Sequence, residues 1–167
     1  MYNKIRDYLF GTQEQINKFD NKANSLITIV GIIFALSLGV LETFNQFIGT
    51  ELTEKLQLKL SLLISFSLLY FISFTLELIF LILVIYPRKK KEGKTSLNYY
   101  MDVAKLNQEE IKGLLQASDE DILDINIDQL YINSKICKQK HKFLVIAIWC
   151  LIPLFVFMFA VFFTAIL

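Results

Sequence analysis

Three long apolar blocks constrain the fold of this chain more than any other feature of its sequence. They cover residues 25–41, 58–86 and 143–167. A helix needs about 20 mostly apolar residues to cross a bilayer, with a lower limit near 17. Hydrophobic residues make up 54% of the chain, whereas soluble domains contain about 45–50%. The sequence therefore predicts three transmembrane helices.

The distribution of basic residues predicts how these helices are oriented. Eleven of the 17 Lys and Arg residues lie in residues 87–142 and four in residues 1–24, whereas only Lys55 and Lys59 lie near the connection between the first two blocks. Cytoplasmic segments carry the excess of Lys and Arg. We therefore expect the N-terminus and residues 87–142 on the cytoplasmic side of the membrane, and the C-terminus on the outer side.

The predicted fold class is all-α, with three transmembrane helices, an N-terminal amphipathic helix and a cytoplasmic helical hairpin that continues into the last span. No alternation typical of strands occurs between the second and third blocks. The predicted segments follow the apolar blocks and are a cytoplasmic segment 1–24, span 25–41, an external loop 42–57, span 58–86, a cytoplasmic helical region 87–142, and span 143–167.

Local signals predict where the helices begin and end. Gly11-Thr12 interrupts the apolar spacing of residues 2–22, which predicts a short surface helix followed by a helix from about Thr12 into the first span. Pro87 ends the second span. Residues 96–117 are predicted as a helix with a frayed start. Ser118 is predicted to cap a further helix that runs without a break into the third span.

Small residues recur every fourth position in the first span, at Gly31, Ala35 and Gly39. Small side chains at this spacing let a second helix approach closely in a membrane. The alternative is ordinary glycine usage, because glycine is common in transmembrane helices. We predict that this stripe packs against another helix.

Glu77 is the residue of the second span that costs the most free energy to place inside a membrane. At 1.5 Å per residue it lies about 13 Å from Tyr86, and an ionised carboxylate at that depth is expensive. Thr28 and Trp149 are predicted hydrogen-bond donors at a similar depth. One interpretation is a protonated Glu77 that holds helices together. The other is a gate, in which a polar stripe containing Ser73 and Glu77 faces further copies of the chain and becomes wet when the assembly opens.

No pattern for catalysis or metal binding is present in the sequence. The chain has one histidine, His141, and neither a Cys/His cluster with metal-ligand spacing nor a glycine-rich phosphate loop. The basic run after Tyr86 is typical of a membrane boundary, so a nucleic-acid polymer is not an expected partner. We predict a protein that is not an enzyme and holds no cofactor.

Polar residues gather where the three spans are expected to meet the cytoplasm. Lysine and arginine side chains at a membrane boundary extend their charged ends into water, which explains the basic residues. It does not explain carboxylates and amides at the same depth. Lysine and arginine bind phosphates, and amides and hydroxyls bind bases or sugars. The predicted ligand-binding cluster consists of Asp20, Lys22, Asn24, Arg88, Asn133, Ser134, Lys138, His141 and Lys142.

Three stretches in this order resemble the transmembrane effectors of Pycsar antiphage systems. They are "FDNKANSLITIVGIIFAL", "YPR" and "DQLYINSKICKQKHKFLVIAIW". The resemblance covers most of the chain and includes the three-span layout. The positions that match the two longer motifs are Asp20, Lys22, Ala23, Asn24, Asp128, Gln129, Tyr131, Ser134 and Lys142.

The resemblance implies an antiviral role. In such systems a nucleotide cyclase makes cyclic CMP or cyclic UMP during infection, and the effector responds by impairing the inner membrane, which ends in abortive infection. The expected partners are therefore the lipid bilayer, the cyclase and further copies of this chain. The alternatives are a defence protein triggered by a protein partner and a helical membrane scaffold without toxicity.

The predicted orientation is tested by cysteine accessibility. Gly93→Cys lies in the most basic segment and should react with a membrane-impermeant maleimide only after the inner membrane is permeabilised. Thr50→Cys, in the predicted external connection, is the control and should react from the periplasmic side without that step. Labelling of residue 93 from the periplasmic side would contradict the orientation.

Overall fold

The computed structural model describes residues 2–47, 54–86, 104, 106–116 and 119–166, and these contain four helices. They are α1 (Tyr2–Phe47), α2 (Glu54–Ile85), α3 (Gln108–Leu115) and α4 (Asp119–Ile166). Helices α1, α2 and α4 are each long and apolar enough to cross a membrane. The all-α class with three membrane helices is confirmed.

Helix α1 continues through Gly11-Thr12, so the predicted interruption there is wrong. A glycine inside a helix costs only about 1 kcal/mol relative to alanine. The Thr12 hydroxyl donates to the Tyr8 carbonyl oxygen at 2.8 Å, within the helix. Residues on both sides of the glycine extend the same helix, and this outweighs its low propensity.

The start of α3 lies further along the chain than the sequence indicated. Leu106 and Asn107 are not helical, and α3 begins at Gln108. Asn107 forms a reciprocal cap with Glu110: its Oδ1 accepts from the Glu110 N–H, and Glu110 Oε2 accepts from the Asn107 N–H, both at 2.8 Å. This capping arrangement fixes the first turn. Residues 96–103, Pro87 and Ser118 lie outside the described residues.

Helix α4 runs unbroken from Asp119 to Ile166, past Pro153. The prediction that one helix leads from the polar region into the third span is confirmed. Cys137 and Cys150 on this helix are both free thiols, as their spacing along one helix requires.

The chain divides into two compact units, which we call the polar unit (Met1–Phe19 and Tyr86–Lys140) and the membrane unit (Asp20–Ile85 and His141–Leu167). In the membrane unit aromatic pairs join the helices. Phe34 of α1 stacks on Phe74 of α2, with ring centroids 4.5 Å apart, and Phe80 of α2 stacks on Phe143 of α4 at 6.4 Å. At the other end of α2, Lys59 Nζ donates to the Ala165 carbonyl oxygen at 3.4 Å. Helices α2 and α4 are therefore antiparallel neighbours.

Buried residues of the membrane unit recur at intervals of seven. On α2 they are Leu63, Tyr70, Glu77 and Val84, which we call the α2 stripe. Ala147, Leu154 and Val161 show the same interval on α4. A seven-residue interval keeps one face of a helix against its neighbours when helices wind around each other in a left-handed sense. Glu77 therefore occupies a packing position, between Tyr70 and Val84.

Candidate functional site

Glu77 is the one acidic residue among the fully buried side chains of the membrane unit that the structure describes. Its side chain has 0% exposure, and neither carboxyl oxygen has a hydrogen-bond partner among the described residues. Ser73, one turn earlier, is also buried, but its hydroxyl donates to the Leu69 carbonyl oxygen at 2.9 Å. An unpartnered polar group in such a place costs about 1–3 kcal/mol, and more when charged. The helical bundle of the membrane unit therefore carries a destabilising group in its core.

The donors predicted for Glu77 are not used in the structure. The Thr28 hydroxyl donates to the Asn24 carbonyl oxygen at 3.1 Å, within α1. Trp149 is 67% exposed on the outer surface of α4. In an apolar helix a threonine satisfies its own hydroxyl through the preceding turn, which leaves no donor for a neighbouring helix. The prediction that Thr28 and Trp149 donate to Glu77 is wrong.

The predicted polar stripe requires Glu77 to face outward, toward further copies of the chain. In the structure its side chain is buried and does not face outward. Ser61 and Ser65 are exposed, whereas Ser73 and Glu77 are buried by the chain's own helices. Ser61, Ser65, Ser73 and Glu77 recur at multiples of four residues, but a helix has 3.6 residues per turn. Residues from Ser61 to Glu77 therefore drift around the helix, and only the last two reach the core.

The small-residue stripe of α1 lies on an exposed face. Gly31, Ala35 and Gly39 are exposed, and a Cβ added to either glycine would meet no atom within 4 Å. No described helix of this chain packs closely there, and the predicted packing of this stripe against another helix stays a prediction. The stripe faces lipid or another molecule.

The polar residues at the start of the first span belong to two faces of α1. Residues 20–24 are part of one continuous helix, in which each residue turns about 100° from the last. Asp20 and Asn24 therefore share a face, and Lys22 lies about half a turn away. Asp20 is half-buried, whereas Lys22 and Asn24 are exposed. One small ligand cannot touch all three side chains from one side.

The predicted ligand residues of α4 also fall into separate environments. In the polar unit Asn133 is buried, and its Oδ1 accepts from Gln129 Nε2 at 3.1 Å. Ser134 and Lys138 are exposed. In the membrane unit His141 and Lys142 are exposed as well. Arg88 lies outside the described residues.

An exposed aromatic residue accompanies Ser134 and Lys138. Tyr131 is 61% exposed and precedes Ser134 by three residues and Lys138 by seven, so the three share one face of α4. Lys135 Nζ lies 4.3 Å from the centroid of the Tyr131 ring, which is within cation–π range. We call Tyr131, Ser134, Lys135 and Lys138 the α4 polar face. It combines a ring, a hydroxyl and two cations.

A groove of about 370 Å³ opens between α1 and α4 in the membrane unit. Lys22 is the predicted ligand residue that lines it. The complete lining is Asn21, Lys22, Ser25, Leu26, Leu144 and Ile148. Among the described residues no group of three or more His, Cys, Asp or Glu side chains is placed to hold a metal ion.

Comparison with known protein families identifies the chain. The model of the Pycsar effector protein domain matches residues 6–167, which include all three membrane helices. The chain belongs to the Pycsar effector family. No curated protein and no solved structure matches it.

The family match, taken with the three long apolar helices, makes this chain a multi-pass membrane protein with the role of an antiphage membrane effector. The resemblance seen in the sequence is confirmed.

Sequence reasoning missed two of the polar groove residues, Asn21 and Ser25. A signal for them was present, because residues 21, 22, 25 and 26 have the spacing of one helical face. Sequence reasoning named Gln129 and Asn133 but missed that they are buried and bonded to each other. The buried polar residues of α4 in the polar unit also recur every seven residues, at Asn126, Asn133 and Lys140. This is the same interval that the buried residues of α4 show in the membrane unit.

The cost of the Glu77 carboxyl is tested by removing it. Glu77→Leu should raise the thermal stability of the purified chain in detergent, by the equivalent of about 1–3 kcal/mol, because it replaces an unpartnered polar group with an apolar one of similar size. Circular dichroism at increasing temperature measures the change. Thr75→Val, at an exposed position on the same helix, is the matched control and should leave the transition nearly unchanged. A clear loss of stability in Glu77→Leu would show that the carboxyl has a stabilising partner.

Proposed function

We propose that this chain is activated by a cyclic pyrimidine nucleotide, cyclic CMP or cyclic UMP, and then impairs the integrity of the bacterial inner membrane, which ends in abortive infection. The family supports the effector role and its link to a nucleotide cyclase. The observation that carries the membrane step is the dry, unpartnered Glu77 in the core of the membrane unit.

The burial of Glu77 lowers the free-energy cost of opening the bundle. In the structure the carboxyl is shielded from solvent and has no hydrogen-bond donor among the described residues. Any arrangement that lets water reach it recovers the missing hydrogen bonds. Opening therefore exchanges apolar packing for hydration of a polar group, and the free-energy difference between the two states is smaller than in a fully apolar bundle.

A ligand shifts such a balance only if it binds one state more tightly than the other. Converting a mostly closed population to a mostly open one requires about 5.5 kcal/mol of differential affinity. This is a large difference in binding free energy for one nucleotide to supply. In a homo-oligomer, nucleotides bound to several copies of the chain would supply it together. The exposed Gly31, Ala35 and Gly39 stripe, which packs on no described helix of its own chain, is the proposed contact between copies.

The nucleotide contacts are proposed in two sets, one in each unit. In the polar unit the α4 polar face supplies Lys138 and Lys135 for the cyclic phosphate, Ser134 for the sugar or base, and Tyr131 for stacking. Lysine is a common phosphate ligand, and bases stack on aromatic rings. In the membrane unit Asp20 and Asn24 share one face of α1 and supply a carboxylate and an amide that fit the polar edge of a pyrimidine.

A second candidate function is activation by a protein partner. The α4 polar face is also suited to an acidic protein surface, because Lys135 lies against the exposed Tyr131 ring and Lys138 follows on the same face. Aromatic residues are enriched at protein interfaces. Direct binding of a nucleotide to the purified chain separates the two functions, because a protein-triggered effector has no need to bind one.

The proposal is tested by nucleotide binding to purified variants, measured by calorimetry with cyclic CMP and cyclic UMP. Lys138→Ala should weaken binding about tenfold or more, because a hydrogen bond to a charged group contributes about 1.5–3 kcal/mol. Asn24→Ala reports separately on the contact set of the membrane unit. The matched control is Lys112→Ala, an exposed lysine on α3, which should bind as the wild type does.

Three outcomes are decisive for the proposed contacts. Weakened binding in one test variant assigns the nucleotide to that set. Unchanged binding in both test variants would exclude the α4 polar face and the Asp20–Asn24 face as contact sets. Failure of the wild-type chain to bind either nucleotide would contradict nucleotide activation and favour a protein trigger.

A further inference from the structure

The groove between α1 and α4 has a polar end and an apolar body. On α1, Asn21 and Lys22 come first, and Ser25 and Leu26 follow one helical turn later, about 6 Å further along the axis. On α4, Leu144 and Ile148 form the facing wall. Leu144 is 4% exposed and forms the floor, whereas Ile148 is 49% exposed and forms the rim. The lining therefore changes from polar to apolar along one direction.

Among the residues that the structure describes, Lys22 is the only charged one that lines this groove. Its ammonium group forms no ion pair or hydrogen bond with any residue that the structure describes. The Ser25 hydroxyl already donates to the Asn21 carbonyl oxygen at 3.0 Å, so it has no second proton to give. Lys22 and the Asn21 amide are thus the donors available to a ligand, and both favour an anion.

The apolar wall excludes a small, fully polar ligand as the best occupant. A nucleotide in this groove would place its base or sugar against Leu26, Leu144 and Ile148, which offer no hydrogen bond. A lipid matches both parts, because its phosphate suits Lys22 and its acyl chain suits the leucines and the isoleucine. The groove also opens on the outer surface of a helical unit that lies in a bilayer, where lipid is the surrounding medium.

We propose that an anionic phospholipid binds in this groove, with its phosphate at Lys22 and Asn21 and the start of one acyl chain against Leu26, Leu144 and Ile148. Basic pockets between transmembrane helices are suited to anionic headgroups. The bound lipid contacts α1 and α4 together, so it stabilises the arrangement of these helices whenever it binds that arrangement better than an open one. The site does not depend on nucleotide activation.

The single tryptophan of the chain gives a direct readout. Trp149 follows Ile148 on α4 and is 67% exposed, so a bromine-labelled acyl chain beside Ile148 quenches its fluorescence. Full-length protein in detergent micelles is titrated with dibrominated phosphatidylglycerol or with dibrominated phosphatidylcholine. We expect saturable quenching at a lower lipid fraction for phosphatidylglycerol.

Variants of two lysines on α1 test the charge. Lys22→Gln should weaken phosphatidylglycerol binding about fivefold, the change expected from one lysine near an anionic membrane surface. Lys22→Arg should restore it. Lys18→Gln is the matched control, because Lys18 is exposed and pairs with Glu14 at 2.7 Å on the same helix; it should bind as the wild type does.

Soluble competitors separate a lipid from a free phosphate. Glycerol 3-phosphate and cyclic CMP should leave the quenching unchanged, because neither fills the apolar wall. Relief of quenching by either compound would overturn the lipid assignment in favour of a phosphate site. Equal binding of the two lipids, unchanged binding by Lys22→Gln, or quenching without saturation would also overturn it.

Discussion

The packing of three long helices at a seven-residue interval is the constraint on which the rest of this structure depends. In a bilayer each helix satisfies its own backbone, so helices are held together chiefly by close side-chain contact. The α2 stripe supplies this contact through Leu63, Tyr70 and Val84, and the same stripe contains Glu77. The position that packing requires to be apolar is thus occupied by a carboxyl. The proposed opening of the membrane unit follows from this conflict.

Much of the fold could be predicted from the sequence because spans and charge bias are strong signals. The buried face of each span could not, because in a helix that is apolar all round the residues toward lipid and those toward protein look alike. The sequence shows that burying the Glu77 carboxyl costs free energy. It does not show which way Glu77 faces, because that depends on which face of the helix is buried. The Gly11-Thr12 prediction failed for a different reason: a weak local preference gave way to a long cooperative helix. For the candidate site, residue types were predictable, whereas the division of Lys22 from Asp20 and Asn24 follows only when helical phase is applied to a continuous α1.

The two proposed ligands act at different places. In the proposed function a nucleotide on the α4 polar face or at Asp20 and Asn24 supplies the signal, and in the further proposal a phospholipid at Lys22 holds α1 and α4 in one arrangement. Both act by preferring one state of the chain, so their effects on the membrane unit are linked even if they never touch. This separation explains why Lys22, about half a turn from Asn24, lies in an apolar groove and not in a polar cluster.

The hydration of Glu77 tests this account most directly. Infrared difference spectra of the protein in lipid bilayers, with and without cyclic CMP or cyclic UMP, report the environment of a single carboxyl, and Glu77→Gln removes the band and so assigns it. The account predicts a dry, protonated carboxyl in the ligand-free protein that becomes hydrated or ionised when the activating nucleotide is added. A Glu77 band that is already hydrated without ligand, or that stays dry in protein that has bound the nucleotide and permeabilised its bilayer, would contradict it.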